Sequence, residues 1–488
     1  MDRNSAAADL ATVLGDWVSA PGPRYRTLAE ALSDAVRAGV LVRGDRLPAE
    51  RRLATMLALS RSTIVAAYQE LRTRGIVASR GGSGTIVIAA PSGPGHGERR
   101  LAGGDAIGLR QRLADRPKDI ITLALAVDDG MPELAAELLD LANNELPALL
   151  ADAGYHPRGL PILRETIADY YTRGGLPSVA EQILVTNGAT QAIGLAAQLY
   201  LRRDATVGVE TPSWPGCVDI FRAVGARLLG VPMDEEGIRA DALHTLVNQS
   251  RLDLLFVMPT FHNPTGTLMS LSRRRRVAEL CDLHKLPLVE DIAYIGEPEN
   301  TLPPIAAFGS GAAELLTISG LAKTVWGGLR IGWIRGPAQI IDRLARLKAL
   351  ADLGSAVLDQ ALAARLIPRV GELTARRAEI HRHQLTHATE LLAASLPSWR
   401  WQIPDGGPAL WIELPGADAH VYAAVALRHG VEIVPGATTD PTGRHDSYLR
   451  LPYTFPEETL TEAIRRLTHA WEEFTRHGPP ADPVWPTI

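Results

Sequence analysis

Apolar positions first recur at helical spacing between Tyr25 and Ala38, where Leu28, Leu32, Ala35 and Val36 share one face, and Gly39 with the RGDRLP turn ends the run. A second helix is predicted from Pro48 through AERRLATML, proline being well suited to a first helical position. After a short turn at Ala58 to Ser60, a third is predicted over SRSTIVAAYQELRTRG, with Ser60 as its N-cap and Gly75 at its end. IVASRGGSGTIVI then alternates into two short strands about a glycine turn, while the Ala-rich residues 1–20 predict one further short helix. Residues 91–104, PSGPGHGERRLAGG, are rich in Gly and Pro and carry no apolar period, so they read as a linker extending to about Pro117. Beyond it the pattern changes. Short continuous apolar runs (ILVTNG, TVGVETP, LDLLFVMP, LPLVED, LLTIS and RIGWIRG) alternate with helical runs, the pattern of a largely parallel sheet wrapped by helices. Ligands of such sheets bind beyond the carboxyl ends of the strands, so the residues just after these runs are the ones to read for chemistry.

A chain of 488 residues holds more than one core, roughly three domains of about 150 residues each. The expected boundaries are 21–90 for the helical segment with its hairpin, 91–117 for the linker, 118–340 for a large domain and 341–480 for a smaller one. The formal charge of −5 is unevenly spread: residues 21–90 hold 11 arginines against 5 acids, so that segment carries +6 and the remainder −11. A polyanion partner is expected for that end only. Two cysteines, Cys217 and Cys281, make no disulfide framework and fit a reducing compartment. No N-terminal apolar segment of signal-peptide length is present, and no apolar run approaches the roughly 18 residues of a membrane span, so a cytoplasmic protein is expected.

Helix, helix, turn, helix, hairpin is the order of an α+β winged helix-turn-helix. Arg61, Ser62 and Thr63 stand at the exposed start of its third helix, where short side chains reach base edges and free amides face phosphates. Arg51 on the preceding helix and Arg80 at the wing add phosphate or groove contacts. The run from LPAERRLA through LSRSTIVAAYQELRTRG to GGSGTIV resembles the GntR-type winged-helix domain over its whole length. That resemblance implies double-stranded DNA as partner, with Arg51, Ser60, Arg61, Thr63 and wing Gly82 as contacts.

The strand ends of the large domain form a second set. Gly188, Ala189 and Thr190 open a helix whose amides can hold a phosphate. Trp214 offers a flat ring, Asn263 in FHNPTG a donor to a ring oxygen, and Asp291, with Tyr294 three residues on, a carboxylate able to keep a pyridinium nitrogen protonated. Lys323, one of only four lysines, lies in SGLAKTVWGGLRIGW between two apolar strands, and Arg330 follows Gly327 and Gly328. An amine nucleophile and an arginine at one mouth suit a ligand with an aldehyde and a phosphate, which pyridoxal phosphate offers. Singly, each has a plainer reading: turn chemistry for Asn263, a cap for Asp291, core for Trp214. Arg273 to Arg276 read as solvated, and His381 and His383, two apart on a helix, do not share a face and make no metal site.

Taken in order and spacing, these stretches resemble the class I aminotransferase-like domain of fold-type I pyridoxal phosphate proteins, from about Ile120 to Phe474, including GYHPRGLPILRETIADY, TNGATQAI, TPSWPG, FHNPTG, VEDIAY and LRLPYTFP. The resemblance implies an α/β large domain with a smaller α+β C-terminal subdomain, and Lys323 as the lysine in Schiff-base linkage to the cofactor. It further implies Asp291 as pyridine partner, Asn263 and Tyr294 at the ring hydroxyl, Trp214 as stacking ring, and Arg330 with Gly188, Ala189 and Thr190 about the phosphate. Tyr155 would reach the phosphate of a neighbouring subunit in a homodimer, and Arg450 would clamp an effector carboxylate. One departure stands out: where relatives carry serines, directly before the lysine and two residues earlier, this chain has Ala322 and Gly320, and Ser319 is the expected substitute.

A winged-helix reader joined to such a body resembles the MocR-type regulators within the GntR superfamily. The resemblance implies a multidomain, pyridoxal phosphate-dependent transcription regulator that senses the cofactor, or an amino acid or amine exchanging with Lys323 for it; the groups needed for transamination are all nominally present, so residual turnover stays open at this point. The competing readings are an aminotransferase with an accessory DNA-binding domain and a DNA binder whose body has lost its cofactor.

Overall fold

The structure is a computed structural model; it describes residues 22–37, 45–57, 59–80, 84–88, 119–126, 128–295, 302–440 and 444–477, with a few single positions besides. The helix expected over residues 1–20 falls almost wholly outside the described residues, as do the linker 91–117 and Gly82. The chain forms two compact units, residues 1–123 with 414–435 and 461–488, and residues 124–413 with 436–460.

In the first unit, α1 (Arg24–Arg37), α2 (Glu50–Met56) and α3 (Arg61–Thr73) are followed by the antiparallel hairpin of β1 (Val77–Arg80) and β2 (Gly84–Val87). The helical stripe read from sequence becomes the core: Leu28, Leu32, Leu53, Ile64, Tyr68, Leu71 and Val87 are all fully buried. α2 starts two residues later than the proline signal suggests, because the Leu47 amide donates to the Thr85 carbonyl at 2.9 Å and holds the chain extended against the hairpin up to Pro48. The Tyr68 hydroxyl then donates to the Pro48 carbonyl at 2.8 Å, closing the entry to α2.

The second unit is built on an eight-stranded sheet of β3 (Ile183–Thr186), β4 (Thr206–Thr211), β5 (Arg227–Asp234), β6 (Gly237–Ile238), β7 (Leu254–Val257), β8 (Leu288–Asp291), β9 (Leu315–Gly320) and β10 (Gly332–Arg335), in the order β3-β10-β9-β8-β7-β4-β5-β6. Strands β5, β4, β7, β8 and β9 pair in parallel, as the continuous apolar runs require. β10 runs antiparallel to both β9 and β3. Its amino end therefore meets the carboxyl ends of the others, and this brings the β9–β10 connection, with Lys323 and Arg330, to the edge where the parallel strands finish. β5 carries no clear apolar signal because it lies near the margin of the sheet and leaves most of its side chains partly open, while β6, the outermost strand, is only two buried residues long, too short to show a period.

Alternation along the strands feeds two faces. Val207, Val209, Phe256, Val289, Leu316, Ile318 and Ile334 pack against α4 (Ala189–Tyr200) and α5 (Ala338–Asp352), while Ile183, Val185 and Trp333 face the helix Pro161–Arg173. Farther along the chain, β11 (Ala409–Glu413) and β12 (Tyr448–Pro452) form an antiparallel pair that sets Arg450 opposite Trp411. The first unit also holds a parallel pairing of Ile121–Thr122 with Val431–Glu432, together with α6 (Ala419–Arg428) and most of α7 (Glu457–His477). Among the described residues, no helix is long and apolar enough to cross a membrane.

Candidate functional site

At the start of α3, Ser60 is the N-cap: its hydroxyl accepts from the Thr63 amide at 3.1 Å and lies 2.7 Å and 2.8 Å from the hydroxyls of Ser62 and Thr63. The hydroxyls thus form one short chain at the helix entry. Arg61 projects beside them, 58% exposed, with Nη2 3.4 Å from Oε2 of Glu50. Arg51, on α2, is exposed as well. Glu50 was not read from the sequence as part of this surface, although it precedes Arg51 directly; it also approaches Arg72 at 3.8 Å. Arg80 pairs with Gly84 across the hairpin.

In the second unit, Gly188 caps α4 with φ 89°, a left-handed value that a side chain would resist. A Cβ at Gly188 would fall 2.9 Å from Nη2 of Arg330, so the guanidinium lies directly over this glycine. Arg330, itself left-handed at φ 51°, donates from Nη2 to the Asn187 carbonyl at 2.8 Å. Gly188, the Ala189 amide and Arg330 are therefore brought together, with Thr190 exposed on the first turn of α4. Ser319 does not join them. It is fully buried in β9 and its hydroxyl donates to the Ile292 carbonyl at 3.1 Å, so the expectation that it replaces the missing serines is corrected by its position. Gly320 has its own reason: a Cβ there would meet the Ile331 carbonyl oxygen at 2.8 Å, so close packing of β9 on β10 excludes a serine.

Asp291, at the carboxyl end of β8, is buried and its Oδ1 accepts from the Ala293 amide at 2.9 Å. Burial pushes its carboxyl up to about 6, with the Ala293 amide and the Lys323 charge pulling the other way. Lys323 donates from Nζ to the Ala126 carbonyl at 3.0 Å and stands 5.5 Å from the ring centre of Tyr294. Asn263 accepts at Oδ1 from Nη1 of Arg450 at 3.3 Å, and Nη2 of Arg450 donates to the Ala124 carbonyl at 2.6 Å. The Arg450 guanidinium is buried, its Nε has no partner among the described residues, and desolvation lowers its pKa against the pull of Tyr294. Lys323, Tyr294, Asp291, Asn263 and Arg450 form one polar cluster at the strand ends. Trp214 is half-buried, with its ring folded over Gly216 at the start of the helix Pro215–Ala223. Tyr155 stands apart, 71% exposed.

Sequence reasoning missed a buried pair behind Asn263. Nε2 of His262 is 3.4 Å from Oε2 of Glu210, both side chains being closed to solvent, and Nδ1 is 2.9 Å from the Thr265 hydroxyl. Burial pushes Glu210 up to about 8 and His262 down to about 3, so at neutral pH the pair is an uncharged acid beside an uncharged imidazole. Arg274 corrects another reading: far from solvated, it is fully buried and donates to the carbonyls of Pro259, Met269 and Pro303, bracing the loop that carries Asn263. His381 and His383 do point apart, His381 to Asp128 at 2.7 Å and His383 to Glu457 at 2.9 Å, and no cluster fit for a metal occurs among the described residues.

Residues 24–87 match the gntR family of bacterial regulatory proteins, and residues 143–467 match the aminotransferase class I and II family. The uncharacterised HTH-type transcriptional regulator YisV of Bacillus subtilis is 30% identical over 459 residues, 89% of this chain and 92% of its own length. The probable rhizopine catabolism regulatory protein MocR of Rhizobium meliloti is 29% identical over 67% of this chain and 68% of its own. The chain belongs to the MocR-type HTH transcriptional regulators. In this regulator a GntR reader, which implies DNA binding, is fused to a body of class I aminotransferase fold. Among solved structures that body is similar to LysN, the alpha-aminoadipate aminotransferase of Thermus thermophilus, with TM-score 0.68 and 29% identity over 75% of this chain and 95% of that one. The LysN crystal holds N-(5'-phosphopyridoxyl)-L-leucine.

Proposed function

We propose that the body of this regulator binds pyridoxal phosphate at Lys323 and uses it to sense either the cofactor itself or an amino acid or amine, changing the grip of the reader on operator DNA in the cytoplasm. The carrying observation is the convergence of Lys323, Tyr294, Asp291, Asn263 and Arg450 at one sheet edge. The donor set suits the group. Asp291 is a buried carboxyl for a ring nitrogen, and the amides after Gly188 with Arg330 make a cradle that a single Cβ at Gly188 would obstruct. Pyridoxal phosphate supplies an aldehyde that condenses with primary amines and a ring that withdraws electrons.

This chain's own residues would do the rest. Lys323 offers the amine, and its present acceptor, the Ala126 carbonyl, is a neutral oxygen that an incoming ligand can displace. Arg450 would exchange the Ala124 carbonyl for an effector carboxylate, a stronger, charge-assisted acceptor. Trp214 would stack on the ring and Thr190 would add a hydroxyl at the phosphate. In a homodimer, exposed Tyr155 would reach the partner's phosphate, and two readers would meet repeated half-sites through Arg51, Arg61, Ser62, Thr63 and the wing residues Arg80 and Gly82. To change DNA affinity several-fold, an effector must favour one arrangement by about 1–3 kcal/mol.

The phosphate end favours sensing over turnover, since Ser319 is committed to Ile292 and Gly320 admits no side chain. The test is borohydride reduction followed by peptide mass spectrometry, with a pyridoxyl mass on Lys323 expected and none in Lys323→Ala. An unlabelled wild-type protein after incubation with excess cofactor defeats the reading. Brisk transamination over a panel of amino and oxo acids, unaffected by removing residues 1–90, would instead establish an aminotransferase with an accessory reader.

A further inference from the structure

Lys348, another of the four lysines, lies inside α5 at 0% exposure, with Nζ 2.6 Å from Oδ1 of Asp352 one turn later. Burying an ammonium costs several kcal/mol even when paired, and an apolar chain of equal volume in its place is often neutral or stabilising. The charge therefore needs a reason other than packing. Asp352 supplies it. Its Oδ1 also accepts from the Gly354 amide at 3.1 Å, while Oδ2 accepts from Nδ2 of Asn187 and Nε2 of Gln191, each at 2.8 Å. Burial opposes the charge of Asp352, but the hydrogen bonds from Lys348 and Gln191 prevail and hold its carboxyl below the usual range.

The chain of contacts runs on to the phosphate end of the site. Gln191 Oε1 accepts from the Asn187 amide at 2.8 Å, and the Asn187 carbonyl accepts from Nη2 of Arg330 at 2.8 Å. Asn187 is thus pinned at its amide, its side chain and its carbonyl, and the next residue is Gly188 at the head of α4. We propose that the Lys348–Asp352 pair is a positioning device for a phosphate monoester: through Asn187 and Gln191 it fixes the turn that presents the first amides of α4 and aims Arg330. Lys348 also neutralises Asp352, so that the anchor does not present an uncompensated negative charge to an arriving dianion. The inference rests on the cofactor reading above for the identity of the ligand, not for the contacts themselves.

The test compares pyridoxal phosphate with pyridoxal, which has the same aldehyde and ring but no phosphate. In Lys348→Met, which keeps the volume, and Asp352→Asn, which keeps the shape, the dissociation constant for pyridoxal phosphate should rise about tenfold or more, as losses of outer partners commonly do, while that for pyridoxal stays within about twofold. Gln191→Ala, at a half-exposed position, should give a smaller loss of the same kind and serves if a buried substitution prevents folding. Equal weakening of both ligands, or of neither, overturns the proposal. A second arm uses cofactor-free protein: amide hydrogen exchange over residues 187–192 should quicken in the variants while β4 and β7 stay protected. If the wild type takes up neither ligand, the cofactor reading fails, and unchanged exchange at residues 187–192 then overturns this inference as well.

Discussion

Single residues in the body are set by desolvation more than by their neighbours in sequence. Glu210 and His262 show the consequence. Between about pH 4.3 and 8 the folded chain holds a proton on Glu210 that the unfolded chain has lost, so stability falls as pH rises through that window. His262 acts oppositely between about pH 3 and 6.5, where the unfolded imidazole is protonated and the folded one is not. The two nearly cancel up to about pH 6.5, and above it only the Glu210 contribution remains. Thermal melts should therefore show stability declining from pH 6.5 to 8 by up to about 1 kcal/mol per pH unit, and Glu210→Gln should flatten that slope. An identical slope in the variant would show that Glu210 ionises normally. Neither the pair nor its charge state is legible in VETP or FHNPTG, because nothing in those runs says that the two side chains meet in a place closed to water.

At the scale of elements, the local signals held well. Ser60 before α3 and the apolar stripe through Ile64, Tyr68 and Leu71 were readable because capping and helical period are short-range. Ser60→Ala should cost the reader about 1 kcal/mol, seen as a lower melting temperature of that unit. Arg61→Ala should weaken operator binding and reduce the slope of log affinity against log salt by about one. Glu50 draws on the same cation, so Glu50→Gln should strengthen binding, and a gel shift showing the reverse would mean that Glu50 orders Arg61 rather than competing for it. The continuous runs of the sheet were equally plain, whereas β5 was not, since a marginal strand with mostly half-open side chains carries no continuous apolar run.

Across the molecule, the first unit ties the reader to the C-terminal helices. Nη1 of Arg428, at the end of α6, donates to the Leu57 carbonyl at the end of α2 at 3.1 Å, and Nη2 is 2.6 Å from Oε1 of Glu473 on α7. Nε2 of His429 lies 2.8 Å from the other oxygen of Glu473. Burial opposes the charge on Glu473, but Arg428 and His429 hold its carboxyl below the usual range. Its contribution is therefore complete above the ordinary glutamate value and lost as pH falls through the lower folded one. Arg428→Ala should quicken amide exchange over residues 50–57 and leave that of α3 unchanged. Equal exchange in the variant and the wild type would show that the contact does not hold α2.

Period, caps and turns act over a few residues, so most of the elements, the order of the two halves and the candidate groups at the strand ends are legible in the chain as written. Which groups meet, and which stay free to act, emerges only when the chain is folded. Ser319 turns to Ile292, Arg274 vanishes into a carbonyl cage, and Asn187 meets Asp352 across 165 positions of chain. Orientation and ionisation depend on which partners surround a side chain and on how much water is left beside it, and those are fixed only when distant segments close on one another.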